Sequence, residues 1–157
     1  MAMEENMEGE ACRKSDDLKL ENQLCFPFYA VSRLIIKQYQ PFLEELDITY
    51  PQYLVLMLLW EKDGIPVTYI TEKLVLNTNT VTPLLQRLEK KGIIDRVRSK
   101  QDERKVEVFL TEKGRSLKQQ ACKIPAALAQ KVQGSAEEIE TLRKQLWAMI
   151  EVMKQSS

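Results

Sequence analysis

The spacing of apolar residues changes twice between Asn77 and Leu110. Val81, Leu84, Leu85 and Leu88 recur at i, i+3, i+4 and i+7, which places them on one face of a helix running from Thr78 to Lys91. Gly92 ends that helix. Two short runs with β-branched residues follow, Ile93 to Arg98 and Lys105 to Leu110. In the second, Val106, Val108 and Leu110 alternate with Glu107 and Phe109 as in a half-buried strand. The polar stretch from Ser99 to Arg104 joins the runs into a hairpin. Upstream, Val67, Ile70 and Leu74 mark a helix of about residues 67–75, so that residues 67–91 read as a helix-turn-helix. A helix-turn-helix followed by a basic hairpin over about 93–110 is the plan of a winged helix.

The flanking segments are helical by the same criterion. Leu20, Leu24, Phe28, Val31 and Ile35 form a stripe from about Asp16 to Gln40, with Pro27 inside and Pro41 at its end. Thr49 and Gln52 bracket Tyr50 and Pro51 as a capping box with proline in the first turn. The helix they open, to Trp60, is apolar all round and belongs at the centre of the domain. Asp63 and Gly64 make a turn. After the hairpin, Thr111 caps a helix carrying Leu117, Ile124 and Leu128, disturbed by Pro125 and ending near Gly134. Ser135 to Glu138 is a second capping box. It opens a last helix to about Lys154 with Ile139, Leu142, Leu146, Met149, Ile150 and Met153 on its apolar side.

The fold class is therefore mainly α with a small β-hairpin wing. We expect residues 1–15 to be a mobile acidic tail and 16–157 a single winged-helix domain. The terminal helices, about 16–46 and 112–154, carry more apolar surface than one small lobe covers, which suits a two-fold homodimer; an ordinary intramolecular helical core is the alternative.

At the start of the third-from-last helix the signals conflict. Asn77 is a good N-cap, with Leu76 and Val81 as a hydrophobic staple, yet it leaves Pro83 beyond the first turn at the expense of a hydrogen bond. A start at Thr80 avoids that loss. We adopt Asn77, with a strained or bent first turn. The face opposite the apolar stripe then carries Thr78, Asn79, Thr82, Gln86 and Arg87, short donors and acceptors followed by a guanidinium. That is the chemistry needed to meet base edges and phosphates from one helix, although any amphipathic surface helix also has a polar face.

Charge distribution favours the first meaning. The chain has 23 basic and 23 acidic residues, a net charge of zero. From Gln86 to Lys105, however, eight basic residues, Arg96 and Arg104 among them, face four acidic ones, whereas from Met1 to Glu21 seven acidic residues face three basic ones. Arg104, at the end of the hairpin turn, is a long cation placed to reach into a narrow, negative minor groove; a solvated turn charge paired with Asp102 or Glu103 is the plainer possibility.

No apolar run is long enough to span a bilayer, and the acidic N-terminus lacks the features of a signal peptide, so a cytoplasmic protein is expected. With no histidine and three cysteines, Cys12, Cys25 and Cys122, in no CxxC pair, zinc-finger spacing and histidine-based catalysis fail on ligand or base supply. We expect neither a metal, a cofactor nor an enzyme.

The strings Leu20-Glu21-Asn22-Gln23-Leu24-Cys25-Phe26, Thr49-Tyr50-Pro51-Gln52-Tyr53, Thr80-Val81-Thr82-Pro83-Leu84 and Asp102-Glu103-Arg104 resemble the MarR family, specifically its organic-hydroperoxide-sensing OhrR branch. The resemblance extends from about Leu18 to the C-terminus. It implies a homodimeric repressor on a double-stranded DNA operator, released when an organic hydroperoxide oxidises the first-helix cysteine. By resemblance Cys25 is that cysteine, and Tyr39 and Tyr50 match two tyrosines that hydrogen-bond it across the dimer interface. Arg104 matches the wing arginine, Asp102 the acid that orients it, Arg87 a phosphate-holding arginine, and Pro83 the Thr-Pro of the reading helix. Asn77 and Asn79 depart from the acidic residue and glycine of the branch, so a different base sequence is expected to be read.

A lone cysteine between Leu24 and Phe26 is by default a small buried hydrophobe. Under the resemblance it reacts as a thiolate, with sulfenic acid as first product. Cys122 matches the resolving cysteine of two-cysteine relatives poorly, so a low-molecular-weight thiol is expected to cap Cys25. A regulator responding to a small-molecule ligand and a cysteine peroxidase with no DNA role are the alternative functions.

Overall fold

The computed structural model describes residues 18–102, 104–129 and 134–156. The expected tail at 1–15, with Cys12, lies outside them. The chain divides into two compact units, Met1–Gln120 and Ala121–Ser157.

The first unit opens with a 3-10 turn, Leu20–Asn22, and a long helix α1, Cys25–Glu45. The sequence suggested a helix from Asp16 with Pro27 in its interior and Pro41 at its end. Instead α1 begins at Cys25, which puts Pro27 in the first turn, where no backbone N–H is required. Pro41 is the interior proline. Helix α2, Tyr50–Glu61, starts at the capping box, with the Thr49 N–H donating to Gln52 Oε1 at 3.0 Å. It supplies the centre of the unit: Gln52, Tyr53, Val55, Leu56 and Leu59 are buried.

A two-residue strand β1, Ile65–Pro66, precedes α3, Val67–Leu74, and α4, Thr78–Lys90. Strands β2, Ile94–Arg98, and β3, Val106–Leu110, form the hairpin, and β1 adds to it in the order β1-β3-β2, all antiparallel. Pro66 is tolerated because β1 is an edge strand. Val81, Leu84, Leu85 and Leu88 of α4 are all buried, as their spacing required. They share a core with Ile65, Ile70, Ile94 and Val108, and each such side chain removed from water contributes roughly 1.5–3 kcal/mol.

Helix α4 starts where Asn77 places it. Asn77 Oδ1 accepts from the Thr80 N–H at 2.9 Å, and Pro83 is carried inside the helix. Residue 75, at the turn between α3 and α4, is a valine with φ +54, a left-handed conformation that β-branched residues rarely adopt. Helix α5, Glu112–Ala121, follows, and all of it but Ala121 belongs to this unit; Thr111 Oγ1 accepts from the Gly114 N–H at 3.1 Å.

In the second unit the expected disturbance at Pro125 amounts to a break. Helix α6, Lys123–Ala129, is separated from α5 at Cys122, because Pro125 has no N–H for the Ala121 carbonyl and its ring crowds that oxygen. Helix α7, Ala136–Gln155, opens with the second capping box: the Ser135 N–H donates to Glu138 Oε2 at 2.8 Å, and the Glu138 N–H to Ser135 Oγ at 3.2 Å.

Neither long helix buries its apolar stripe. Leu43 is the only buried residue of α1, and α7 has none. Leu24 at the N-cap of α1 and Val31 and Leu34 on it are more than half exposed, as are Leu142 and Met153 on α7.

Candidate nucleic-acid interface and thiol site

Helix α4 and the wing enclose a cleft of about 290 Å³ whose lining includes Thr78, Thr82, Arg96, Arg104, Lys105 and Thr68. The sequence-selected residues thus separate into groups. Thr78, Thr82, Arg96 and Arg104 converge on the cleft. Asn79, Pro83, Gln86 and Arg87 are exposed on α4. Asn77 and Thr80 hold each other: Asn77 Oδ1 also accepts from Thr80 Oγ1 at 2.9 Å, so both serve the cap that fixes where α4 begins.

Arg96 is engaged within the protein. Its Nε and Nη2 donate to Glu89 Oε2 at 2.9 and 2.7 Å, joining the last turns of α4 to the first strand of the wing. These bonds hold the Glu89 carboxyl below its ordinary pKa, against a smaller opposing effect of burial. Asp102 meets Arg104 through the main chain: its Oδ1 accepts the Arg104 N–H at 3.1 Å, while Oδ2 lies 3.9 Å from Lys105 Nζ. The acid shapes the turn that presents the exposed arginine. Ser99 and Lys105 close the base of that turn, the Ser99 N–H donating to the Lys105 carbonyl at 2.8 Å. Lys105, Thr68 and Glu89 were missed by the sequence reading. The local excess of positive charge was the available signal for Lys105, and nothing comparable marked the other two.

Cys25 is the first residue of α1 and is exposed. It sits beside the uncovered Leu24, Phe26 and Phe28. Tyr39 and Tyr50 pack together with ring centroids 4.8 Å apart, and buried Tyr53 completes the cluster, 5.9 Å from Tyr39 and 6.4 Å from Tyr50. Burial raises the pKa of both Tyr39 and Tyr50, and for Tyr50 the neighbouring Tyr39 adds to it, so both phenols stay protonated donors at neutral pH. The structure does not bring them to Cys25 within one chain. Tyr39 is fourteen residues further along α1, about 21 Å at 1.5 Å per residue. Cys122, also exposed, occupies the break between α5 and α6.

A helix-turn-helix packed on a three-stranded antiparallel wing, with a polar and basic cleft between them, defines a winged-helix transcriptional regulator. Residues 37–121 match the family model for the transcriptional regulator SarA/Rot. The chain is 46% identical over 144 residues to the organic hydroperoxide resistance transcriptional regulator of Bacillus subtilis, covering 92% of this chain and 98% of the relative. Among solved structures, reduced AbfR bound to DNA superposes with a TM-score of 0.73 at 34% identity, over 89% of this chain and 96% of that one. AbfR of Staphylococcus epidermidis does so with a TM-score of 0.73 at 31% identity, over 90% and 97%. The chain belongs to the SarA/Rot transcriptional regulators, within the MarR-type winged-helix family and its organic-hydroperoxide branch.

Proposed function

We propose that the protein is a homodimeric repressor that binds a two-fold DNA operator and releases it when an organic hydroperoxide oxidises Cys25. The observation that carries this reading is the placement of Cys25 at the start of α1 and of the paired Tyr39 and Tyr50, one in the second half of α1 and one at the start of α2, well away from it, while the apolar face of α1 lies uncovered. An antiparallel pairing of two such helices covers the face and brings each thiol to the other chain's phenols, which donate to the sulfur as it becomes an anion.

The chemistry follows from the thiolate. Its sulfur attacks the terminal oxygen of the hydroperoxide, the O–O bond breaks, and the departing alkoxide takes a proton to become the alcohol, leaving the sulfenic acid. A low-molecular-weight thiol then displaces the hydroxyl as water and forms a mixed disulfide on Cys25. The exposed aliphatic and aromatic surround of Leu24, Phe26 and Phe28 favours an organic peroxide over hydrogen peroxide. The added bulk falls where two helices pack. A differential free energy of about 3 kcal/mol between the DNA-bound and free conformations lowers operator affinity more than a hundredfold.

On the DNA side, Thr78, Asn79, Thr82, Pro83, Gln86 and Arg87 meet the major groove and its phosphates, and Arg104 reaches the flanking minor groove. Asn77, Arg96 and Asp102 set the position of the cap, the wing and the turn.

The test compares operator binding with and without an organic hydroperoxide for the natural protein and Cys25→Ser. The serine variant is expected to bind with unchanged affinity and to hold on when peroxide is added, since it cannot form a sulfenate. Equal release from both proteins places the sensor elsewhere. The cleft between α4 and the wing supports a second reading, a regulator answering to a small anionic ligand, which binding insensitive to peroxide would favour.

A further inference from the structure

The turn between α1 and α2 lies between the tyrosines of the sensing site and is tethered to the far end of α4. It starts after Glu45 and ends at Tyr50, so Tyr39 and Tyr50 lie on the two helices that it joins. Asp47 within it has φ +53, a conformation that non-glycine residues seldom adopt. Buried Leu46 and Ile48 pin the chain on either side, and the Ile48 N–H donates to the Leu43 carbonyl at 3.0 Å. The carbonyl of Asp47 accepts a hydrogen bond from Lys91 Nζ, which also lies 3.0 Å from Asp47 Oδ2.

Lys91 is the C-cap of α4. Its N–H donates to the Arg87 carbonyl at 3.1 Å, and its own carbonyl accepts from Lys113 Nζ at 2.9 Å. One residue therefore fastens the tyrosine-bearing turn, the end of the DNA-reading helix and the first turn of α5. The contact to the turn includes a main-chain oxygen, which follows any displacement of the backbone, and not only a solvated carboxylate.

We propose that Lys91 is the positioning residue that couples the thiol site to the reading helix. When capping of Cys25 withdraws the sulfur from the phenols, the ends of α1 and α2 repack and the turn shifts. The tether carries that shift to the C-terminal end of α4, whose N-terminal half then no longer matches the groove. Small shifts propagate in this way because packed elements are discrete in their arrangements. This inference rests on the thiol-switch reading above.

Lys91→Met keeps the apolar stem and removes the donors. With the full-length protein, three quantities are measured: operator affinity when reduced, the extent of Cys25 modification by mass spectrometry after treatment with cumene hydroperoxide and cysteine, and operator affinity afterwards. We expect Lys91→Met to be modified as fully as the natural protein and to bind within about threefold of it when reduced, yet to lose at least tenfold less affinity on oxidation, a change within the usual range of coupling between sites. Lys91→Arg is expected to restore the response, and Asp47→Asn, which keeps the carbonyl, to retain most of it. Should Lys91→Met fail to fold, Lys91→Leu, which also lacks a side-chain donor, takes its place under the same expectation. Full oxidative release from a fully modified Lys91→Met or Lys91→Leu overturns the coupling role. Failure of the underlying reading is recognised separately, by peroxide-independent binding of the natural protein or by equal release from Cys25→Ser.

Discussion

Gly64 shows how much a single position can depend on a distant partner. Its φ is +70, and a Cβ built there would lie 2.6 Å from Phe109 Cε1. Beside it, Asp63 Oδ1 accepts from the Gly64 N–H at 3.0 Å and from the Leu110 N–H at 2.8 Å, while Oδ2 takes Arg115 Nη2 at 3.0 Å. Gly64→Ala meets both a disfavoured backbone conformation and the Phe109 ring, and is expected to lower stability by about 1–3 kcal/mol. Urea denaturation measures this; an unchanged midpoint would mean that ring and backbone relax freely. The Asp63-Gly64 turn was legible in the sequence as a local signal. The Phe109 contact was not, because it depends on strand pairing across more than forty residues. Arg96 is similar. Its charge was readable, but the Glu89 that holds it was not.

At the scale of elements, local grammar served well. The capping boxes at Thr49 and Ser135, the Asn77 cap and the apolar face of α4 all follow from side chains within one or two helical turns. What escaped was β1, since two residues carry no periodicity and its existence rests on the pairing of Ile65 with Val108. The start of α1 escaped too, because an apolar stripe continues into residues that are not helical. The Glu89 and Arg96 pair is the consequence to test here, for it ties α4 to the wing. Since the folded Glu89 pKa is depressed, the pair stabilises the protein above the ordinary carboxylate range. That contribution fades as pH falls below about 4.3 and through the folded value. Amide exchange along Ile94–Arg98 is expected to accelerate relative to the core over that interval. Glu89→Gln is expected to show faster exchange already at neutral pH and to lose the acid-dependent step; an identical acid profile in the variant would assign the step to another group.

For the whole molecule, the sequence announced an excess of apolar surface, and the structure shows it as two uncovered helical faces, those of α1 and α7. The spacing of Cys25 and Tyr39 was legible too: the helical rise along α1 puts them about 21 Å apart within one chain, the physical ground for the contact between chains that the resemblance implied. This geometry has a genetic consequence. An allele encoding Cys25→Ser and one encoding the double change Tyr39→Phe and Tyr50→Phe are each expected to be impaired in peroxide response as homodimers. Expressed together, their products assemble into hybrids in which the intact cysteine of one polypeptide meets the intact phenols of the other, so about half of the randomly paired molecules regain one working sensor. Induction of a reporter by cumene hydroperoxide in the doubly marked strain, exceeding that of either parent, is the expected outcome. Absence of such complementation, with hybrids demonstrably present, would show that each polypeptide senses alone.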